Sequence, residues 1–388
     1  MTEILGKFSY PIEWGFKRIP SRPKDLQVLD FNKNYDYDTI WIDVIQVQQD
    51  TILLIGPPLY NTAHWLNENC IFIDEQNRSI PWVYSEMDRA CVMRLSTHGW
   101  VKELRLVTPH GEYVLNVNHS TFDFADKKVV VTVSRNNPVS WIKQWIDYNK
   151  TVHNIEGILI YNNRSTIYDS IELQSLISRD DMIIKVVDYD VPYGVLGGGL
   201  WEWEGKTGTS LPWDSDFAQY VMLEHAKWRY LHCARLVINA DIDELLIVKN
   251  SNLDSVADYC ENGEHSVLVY DGIWIEPIDS ITGEVASKLP FENRSFYNYW
   301  HTQYGDGRGI GIKWVLNPIK NLNYQWHIHK IYGPYVKTTE ITYGHYFAMN
   351  TGWCYHRDNF DGDPATLVEL EPLKRNLTMW REKSSDLK

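Results

Sequence analysis

Between about residues 38 and 118 the apolar positions fall in short runs, TIWIDVIQV, TILLIGPPLY, CIFIDEQ and WVKELRLVTPHGEYVLNV, rich in β-branched and aromatic residues. Turn residues such as Gly56-Pro57-Pro58 and His110-Gly111 separate them, and no 3.6-residue period runs through the stretch. That pattern predicts a small β-sandwich or sheet module. Pro11, Pro20 and Pro23 interrupt the first 35 residues, which predicts an extended arm packed on the module.

The pattern changes near Asp126. KKVVVTVSRNNP is apolar, nearly non-alternating and ends in polar residues, as expected of a strand covered on both faces. PVSWIKQWIDYNK follows, with Trp141, Trp145 and Tyr148 on one helical face and Pro138 suited to the first turn. IEGILIYNNRS predicts a second buried strand, the stretch through Leu176 a second helix, and MIIKVVDYD a third strand. Strand, helix, strand, helix, strand at these spacings predicts a parallel sheet with right-handed crossovers. A Gly- and Trp-rich stretch from Tyr193 to Trp213 interrupts the series before DFAQYVMLEHAKWRYLHC, read as a helix, and RLVINADIDELLIV, read as a fourth strand running into acidic residues. Strand-like pieces return at SVLVYDGIWIEP and ITYGHYFAMN. The expected fold class is α/β: a Rossmann-like mixed sheet with flanking helices over residues 126–388, preceded by a small β-rich module over residues 1–125.

Composition acts mainly by exclusion. At 388 residues the chain is long enough for two domains. A formal net charge of −14 sets a repulsive mean field against a phosphate backbone, and no basic patch offsets it, so no nucleic-acid partner is expected. Apolar runs such as Val129–Val133 and Ile155–Ile160 fall far short of the roughly 20 residues of a membrane helix. No transmembrane segment is expected, and peripheral membrane association stays open. The start, MTEILGKFSYPIEWGF, lacks a basic n-region and an uninterrupted apolar h-region, so the expected location is cytoplasmic. Cys70, Cys91, Cys233, Cys260 and Cys354 form neither a C-x-x-C pair nor a zinc spacing and read as buried, reduced thiols. Seventeen Trp and 24 Tyr are a heavy aromatic load. Aromatic faces pack on the C–H faces of sugars as on any apolar surface, so composition suggests carbohydrate without specifying it.

Polar residues at strand ends carry the candidate chemistry, because open α/β sheets bind ligands outside the carboxyl ends of their strands. NADIDELL, Asn239–Leu246, closes the fourth strand with Asp241 and Asp243 two residues apart in an extended segment, so that both project to one side. Two carboxylates on one edge repel unless a cation lies between them, and hard oxygen ligands suit Mg²⁺ or Mn²⁺. Such an ion can bridge the two phosphates of a nucleotide diphosphate and neutralise a leaving group. A lone D-x-D equally describes a solvated strand end; its place after the fourth strand gives it weight.

Ser134, Arg135 and Asn136 at the first strand end, with Asn163 at the second, would line a nucleotide pocket, Arg135 serving as a phosphate partner or a surface ion pair. Lys313, preceded by the GDGRGIG loop from Gly305, is a second phosphate candidate, and loops of that kind close over ligands. A general base for an acceptor hydroxyl would come from Glu276, Asp271 or Asp306, with Glu276 of WIEP preferred. His327 and His329 alternate with Ile328 on one side of a strand, where hydrogen bonding is as common as ligation. Gly197-Gly198-Gly199-Leu200-Trp201 with Trp203 reads equally as an acceptor surface and as a plug on the sheet.

Together these segments resemble family 92 of the glycosyltransferases and related bacterial polysaccharide enzymes, in which a strand, a helix with a Trp-rich face, a Tyr-Asp-Asn-like strand end and a D-x-D-E strand recur in this order. The resemblance spans roughly Lys127 to Arg357 and includes GIKWVLNP, WHIHKI and GHYFAMNTGW. Its specific parts are Asp241-Ile242-Asp243-Glu244 and the segment from His345 to Trp353. It implies the glycosyltransferase A fold, a nucleotide-sugar donor such as a UDP-sugar, and Mn²⁺ or Mg²⁺ held by Asp241 and Asp243. It also implies that Glu244 braces the loop or touches the acceptor, and that His345, ahead of His329 and His327, completes the metal shell. Asn162-Asn163 departs from the family, which tends to carry an aspartate there, although an amide can still hydrogen-bond a base.

The expectation is a metal-dependent glycosyltransferase of the hexosyltransferase type, inverting by preference, with a retaining mechanism left open by the residues. It would move sugar from a nucleotide-sugar to a carbohydrate or lipid-linked glycan acceptor in surface polysaccharide or glycoconjugate synthesis. A non-catalytic carbohydrate-binding or scaffolding protein with a degenerate fold would instead bind sugar without metal or nucleotide. A metal-dependent nucleotidyltransferase would consume sugar phosphate and nucleoside triphosphate, but no G-x-G-rich loop lies near the first strand.

Overall fold

A computed structural model describes residues 5–195, 214, 216–249, 255–261, 265–303, 310–351 and 357–385. The chain divides into two compact units, Met1–Thr2 with Asp123–Val187 and Cys233–Lys388, and Glu3–Phe122 with Asp188–His232.

In the unit that holds the acidic motif, β1 (Lys128–Ser134), α1 (Val139–His153), β2 (Gly157–Asn162), α2 (Ser170–Ile177) and β3 (Ile183–Asp188) follow one another as the apolar pattern predicts. Val129–Val131 and Ile158–Tyr161 are fully buried, which is why neither run alternates. Pro138 stands immediately before α1, where its missing N–H costs nothing, and Asn154 closes the helix in the left-handed region at φ 53°. Asp169 caps α2 by accepting the Glu172 N–H at 2.7 Å. There follow β4 (Leu236–Asn239), β5 (Glu244–Val248), β6 (Val267–Tyr270), β7 (Gly272–Ile275), β8 (Lys313–Leu316), β9 (Val336–Lys337), β10 (Ile341–Tyr346) and α3 (Glu371–Ser385).

The main sheet runs β3-β2-β1-β4-β8-β6-β9. β1 is parallel to both β2 and β4, whereas β8 runs antiparallel to β4 and β6, so the sheet is mixed. The chain builds outward from β1 to β3 and then returns to lay β4 on the other side of β1. That reversal makes a topological switch point, and the crevice beyond the carboxyl ends of β1 and β4 is where such sheets bind ligands. A second, three-stranded sheet of order β5-β10-β7 continues directly from β4. Trp141, Trp145 and Tyr148 of α1, Trp380 of α3 and the apolar side chains of β5 share one core.

The other unit is β-rich. Its five-stranded sheet orders Asn118–His119, Asp43–Gln48, Thr51–Gly56, Ala90–Ser96 and Trp82–Met87; its four-stranded sheet orders Gly111–Asn116, Glu103–Thr108, Ile71–Asp74 and Ser79–Ile80. Val44 and Leu54 of the first share a core with Phe72 and Leu106 of the second, and Trp41 and Trp14 of the N-terminal segment join it. The helix Phe217–Ala226, which the linear pattern sets before the fourth strand, belongs here. Its described residues are nearly all buried, and His225 bonds Asp43 at 2.9 Å with both side chains fully buried. Arg22 and Asp214 form a second buried pair at 2.8 Å. Cys70, Cys91, Cys233 and Cys260 are free thiols; Cys354 lies outside the described residues.

Candidate active site at the carboxyl edge of the sheet

Asp241 to Glu244 is a tight turn between β4 and β5, not the extended strand that alternation predicts. The Glu244 N–H donates to the Asp241 carbonyl at 3.0 Å, and the Asp241 N–H donates back to Glu244 Oε2 at 2.9 Å. Each residue satisfies a backbone group of the other, the reciprocity of a capping box. Glu244 thus braces the turn, with its side chain only 1% exposed. The turn also separates the aspartates: each faces a different partner, where an extended segment would have set them side by side.

Asp241 meets Lys313. β8 pairs antiparallel with β4 through Val237↔Leu316 and Ile238↔Val315, and the same register carried two residues further sets Lys313 opposite Ala240. Its ammonium reaches Asp241 Oδ2 at 2.8 Å and Glu244 Oε2 at 3.1 Å, and its side chain is 1% exposed. Burial lowers the lysine's proton affinity, but the two carboxylates outweigh it and hold Lys313 firmly ionised. Burial, reinforced by the charges of Asp241 and Asp243 and opposed by Lys313, pushes Glu244 up to about 7.

Asp243 meets His345. β10 lies between β5 and β7 with His345 directly across from Glu244 on one side and from Trp274 on the other. His345 Nε2 stands 3.0 Å from Asp243 Oδ2, and His345 Nδ1 stands 3.8 Å from Glu244 Oε1. Burial alone would raise Asp243 and lower His345; their mutual attraction outweighs it, holding Asp243 below and His345 above the ordinary range. The two side chains keep 25% and 17% exposure, so this pair faces the solvent while Lys313 and Glu244 lie behind it. Trp274 stacks on the imidazole of His345 at 4.4 Å and on Phe347 at 4.4 Å.

The Trp-rich face of α1 positions this turn. β5 is an edge strand, so its outward carbonyls need donors. Trp145 Nε1 donates to the Glu244 carbonyl at 3.1 Å; Tyr148 Oη and His153 Nε2 both serve the Leu246 carbonyl, at 2.5 and 3.0 Å.

No protein-family model matches the chain, and no curated protein matches it in sequence. Among solved structures it is similar to the crystal structure of HddC from Yersinia pseudotuberculosis, at 10% identity over 56% of this chain and 91% of that one, with a TM-score of 0.28. At that score the likeness carries no functional argument.

The remaining sequence candidates fall at several places. Ser134, Arg135, Asn136 and Asn163 gather beyond β1 and β2: the Asn163 N–H donates to the Ser134 carbonyl at 2.8 Å, and Asn136, at φ 56°, bonds Ser165 and Thr166. Glu276 is buried one residue past β7, its N–H bonded to the His301 carbonyl at 2.9 Å. Asp271 lies at the opposite end of β7, exposed and paired with Lys337 at 2.7 Å, and is not brought to the carboxylate cluster. Asp306, the GDGRG part of the loop before Lys313 and the Gly197–Trp203 stretch lie outside the described residues. His327 is buried, its Nδ1 accepting the His329 N–H at 3.1 Å. The ring of His329 packs on Gly311, where a Cβ would come within 2.3 Å of it; its desolvation and the Lys313 ammonium push His329 down to about 4. Trp274 escaped notice in the sequence because its pairing with His345 is long-range. Asn239, buried at the end of β4 and donating to the Ile328 carbonyl at 2.9 Å, was visible inside NADIDELL.

Proposed function

We propose that the chain is a metal-dependent glycosyltransferase of the glycosyltransferase A type that uses a nucleotide-sugar, with Asp243 and His345 holding Mn²⁺ or Mg²⁺. The supporting observation is the Asp243–His345 pair, 3.0 Å apart and partly exposed just past the switch-point strand β4. One carboxylate oxygen and one imidazole nitrogen form a donor set that suits Mn²⁺ better than Mg²⁺, which prefers oxygen throughout. Asp241 is drawn away from this pair by Lys313, so the metal assignment narrows to Asp243 and His345. When bound, the ion supplies neutralisation of the diphosphate leaving group.

The protein's own residues do the positioning. Lys313 fixes the Asp241 carboxylate at 2.8 Å, leaving its other oxygen for hydroxyls of the donor. Ser134, Arg135, Asn136 and Asn163 line the edge assigned to the nucleotide. Strand alternation sets Glu276 on the same side as Trp274 and His345, and we assign it the proton of the acceptor hydroxyl in an inverting displacement onto a glycan.

One observation favours sugar binding without metal: Lys313 already neutralises Asp241 and Glu244, and among the described residues no three His, Cys, Asp or Glu side chains group as a metal site. Thermal stability with nucleoside diphosphates and nucleotide-sugars, each with and without Mn²⁺, separates the readings. A ligand at 100 times its Kd stabilises by about 2.7 kcal/mol, so one nucleotide should raise the melting temperature by several degrees only with Mn²⁺. Asp243→Ala should fold and lose that shift. A variant that keeps it removes Asp243 from the metal site, and a wild-type chain that responds to no nucleotide leaves the sugar-binding reading.

A further inference from the structure

Trp274 does more than back His345. The guanidinium carbon of Arg357 lies 5.2 Å from the Trp274 ring centroid, within cation–π range. A second observation is independent of charge. The indole Nε1 of Trp274 is buried and bonds to no acceptor among the described residues. A donor shielded from water and left unpaired is costly, and in native proteins such a group is commonly explained by a ligand or ion that satisfies it. Arg357 brings a planar fork of donors to the same place, and forks of that kind match phosphate oxygens.

From these contacts we infer that Trp274 and Arg357 form an oxyanion half-site beside the Asp243–His345 pair, built to take the oxygens of a diphosphate. The inference rests on the glycosyltransferase reading for the diphosphate's role, not for its binding. The guanidinium grips two oxygens, the indole N–H donates to a third, and the stack on Phe347 and His345 keeps the indole from turning away. The diphosphate belongs either to a nucleotide or to a lipid-linked acceptor, which present the same oxygens.

Calorimetric titration of the full chain with inorganic pyrophosphate in the presence of Mn²⁺ tests the half-site. Trp274→Phe keeps the ring stack and deletes the donor; affinity should fall about 5-fold at an unchanged melting temperature. Arg357→Gln should cost about 30-fold, and Arg357→Lys should recover only part of it, because a point charge does not reproduce the fork. Wild-type affinity in both Trp274→Phe and Arg357→Gln overturns the half-site, as does a wild-type chain that binds no pyrophosphate. Competition by uridine diphosphate but not geranyl diphosphate assigns the site to the donor, and the reverse assigns it to the acceptor; either supports it. Arg357-dependent pyrophosphate binding without nucleotide-sugar turnover keeps the half-site and removes the glycosyltransferase reading. Nucleotide turnover with binding untouched in both variants does the opposite.

Discussion

Replacing Lys313 with methionine tests the electrostatic logic of the acidic turn. The side chain is 1% exposed and bonds Asp241 at 2.8 Å and Glu244 at 3.1 Å. Asp241, with 27% of its side chain exposed, can turn to water, whereas Glu244, 1% exposed, cannot. Removing one partner of a buried ion pair costs about 3–5 kcal/mol. For a unit of about 220 residues this lowers the melting temperature by about 10 °C. The loss should also depend on pH, with a sign that follows from Glu244. Its carboxyl sits at about 7 against an ordinary 4.5, so between those values the folded chain holds a proton that the unfolded chain releases, and stability falls as pH rises through the window. Lys313 is the group that restrains this rise, so its removal carries the folded value, and the window, above pH 7. The deficit of Lys313→Met relative to wild type should therefore grow from pH 6 to pH 9. Scanning calorimetry at pH 6, 7.5 and 9, resolving the transitions of the two units, measures it. A variant that melts with wild type, or a deficit that shrinks as pH rises, would refute the reasoning.

Two further substitutions probe the scaffold and the chemistry. Trp145→Phe deletes the 3.1 Å bond to the Glu244 carbonyl and leaves that buried acceptor unpaired, which should cost about 1–3 kcal/mol; an unchanged urea midpoint would show that α1 does not hold the turn. Glu276→Gln should lower kcat by about 10² to 10⁴ while donor affinity is retained, and a near-wild-type kcat would return the base to another residue.

The linear pattern carried the first half of the unit that holds the acidic motif well. Runs such as Val129–Val131 and Ile158–Tyr161 bury both faces, and Trp141, Trp145 and Tyr148 recur at helical spacing, so local periodicity sufficed for β1 through β3 with their helices. It also marked the acidic segment and His345 as chemistry. It misjudged the shape of that segment, because alternation cannot see the Glu244 side chain returning to the Asp241 N–H and closing a turn. It also set the helix Phe217–Ala226 in series with the fourth strand; that helix is buried almost all round and packs with the N-terminal strands through pairs such as His225–Asp43. What the sequence determined by itself was which residues could ionise, stack or ligate, and which segments had to be strand or helix. Only the tertiary structure decided the partners: Lys313 reaches Asp241 across 72 residues and His345 reaches Asp243 across 102, through the registers of two different sheets. Periodicity is a property of neighbouring residues, whereas register is settled by which distant strands bury each other's apolar faces, and in this protein that choice assigned each aspartate its partner.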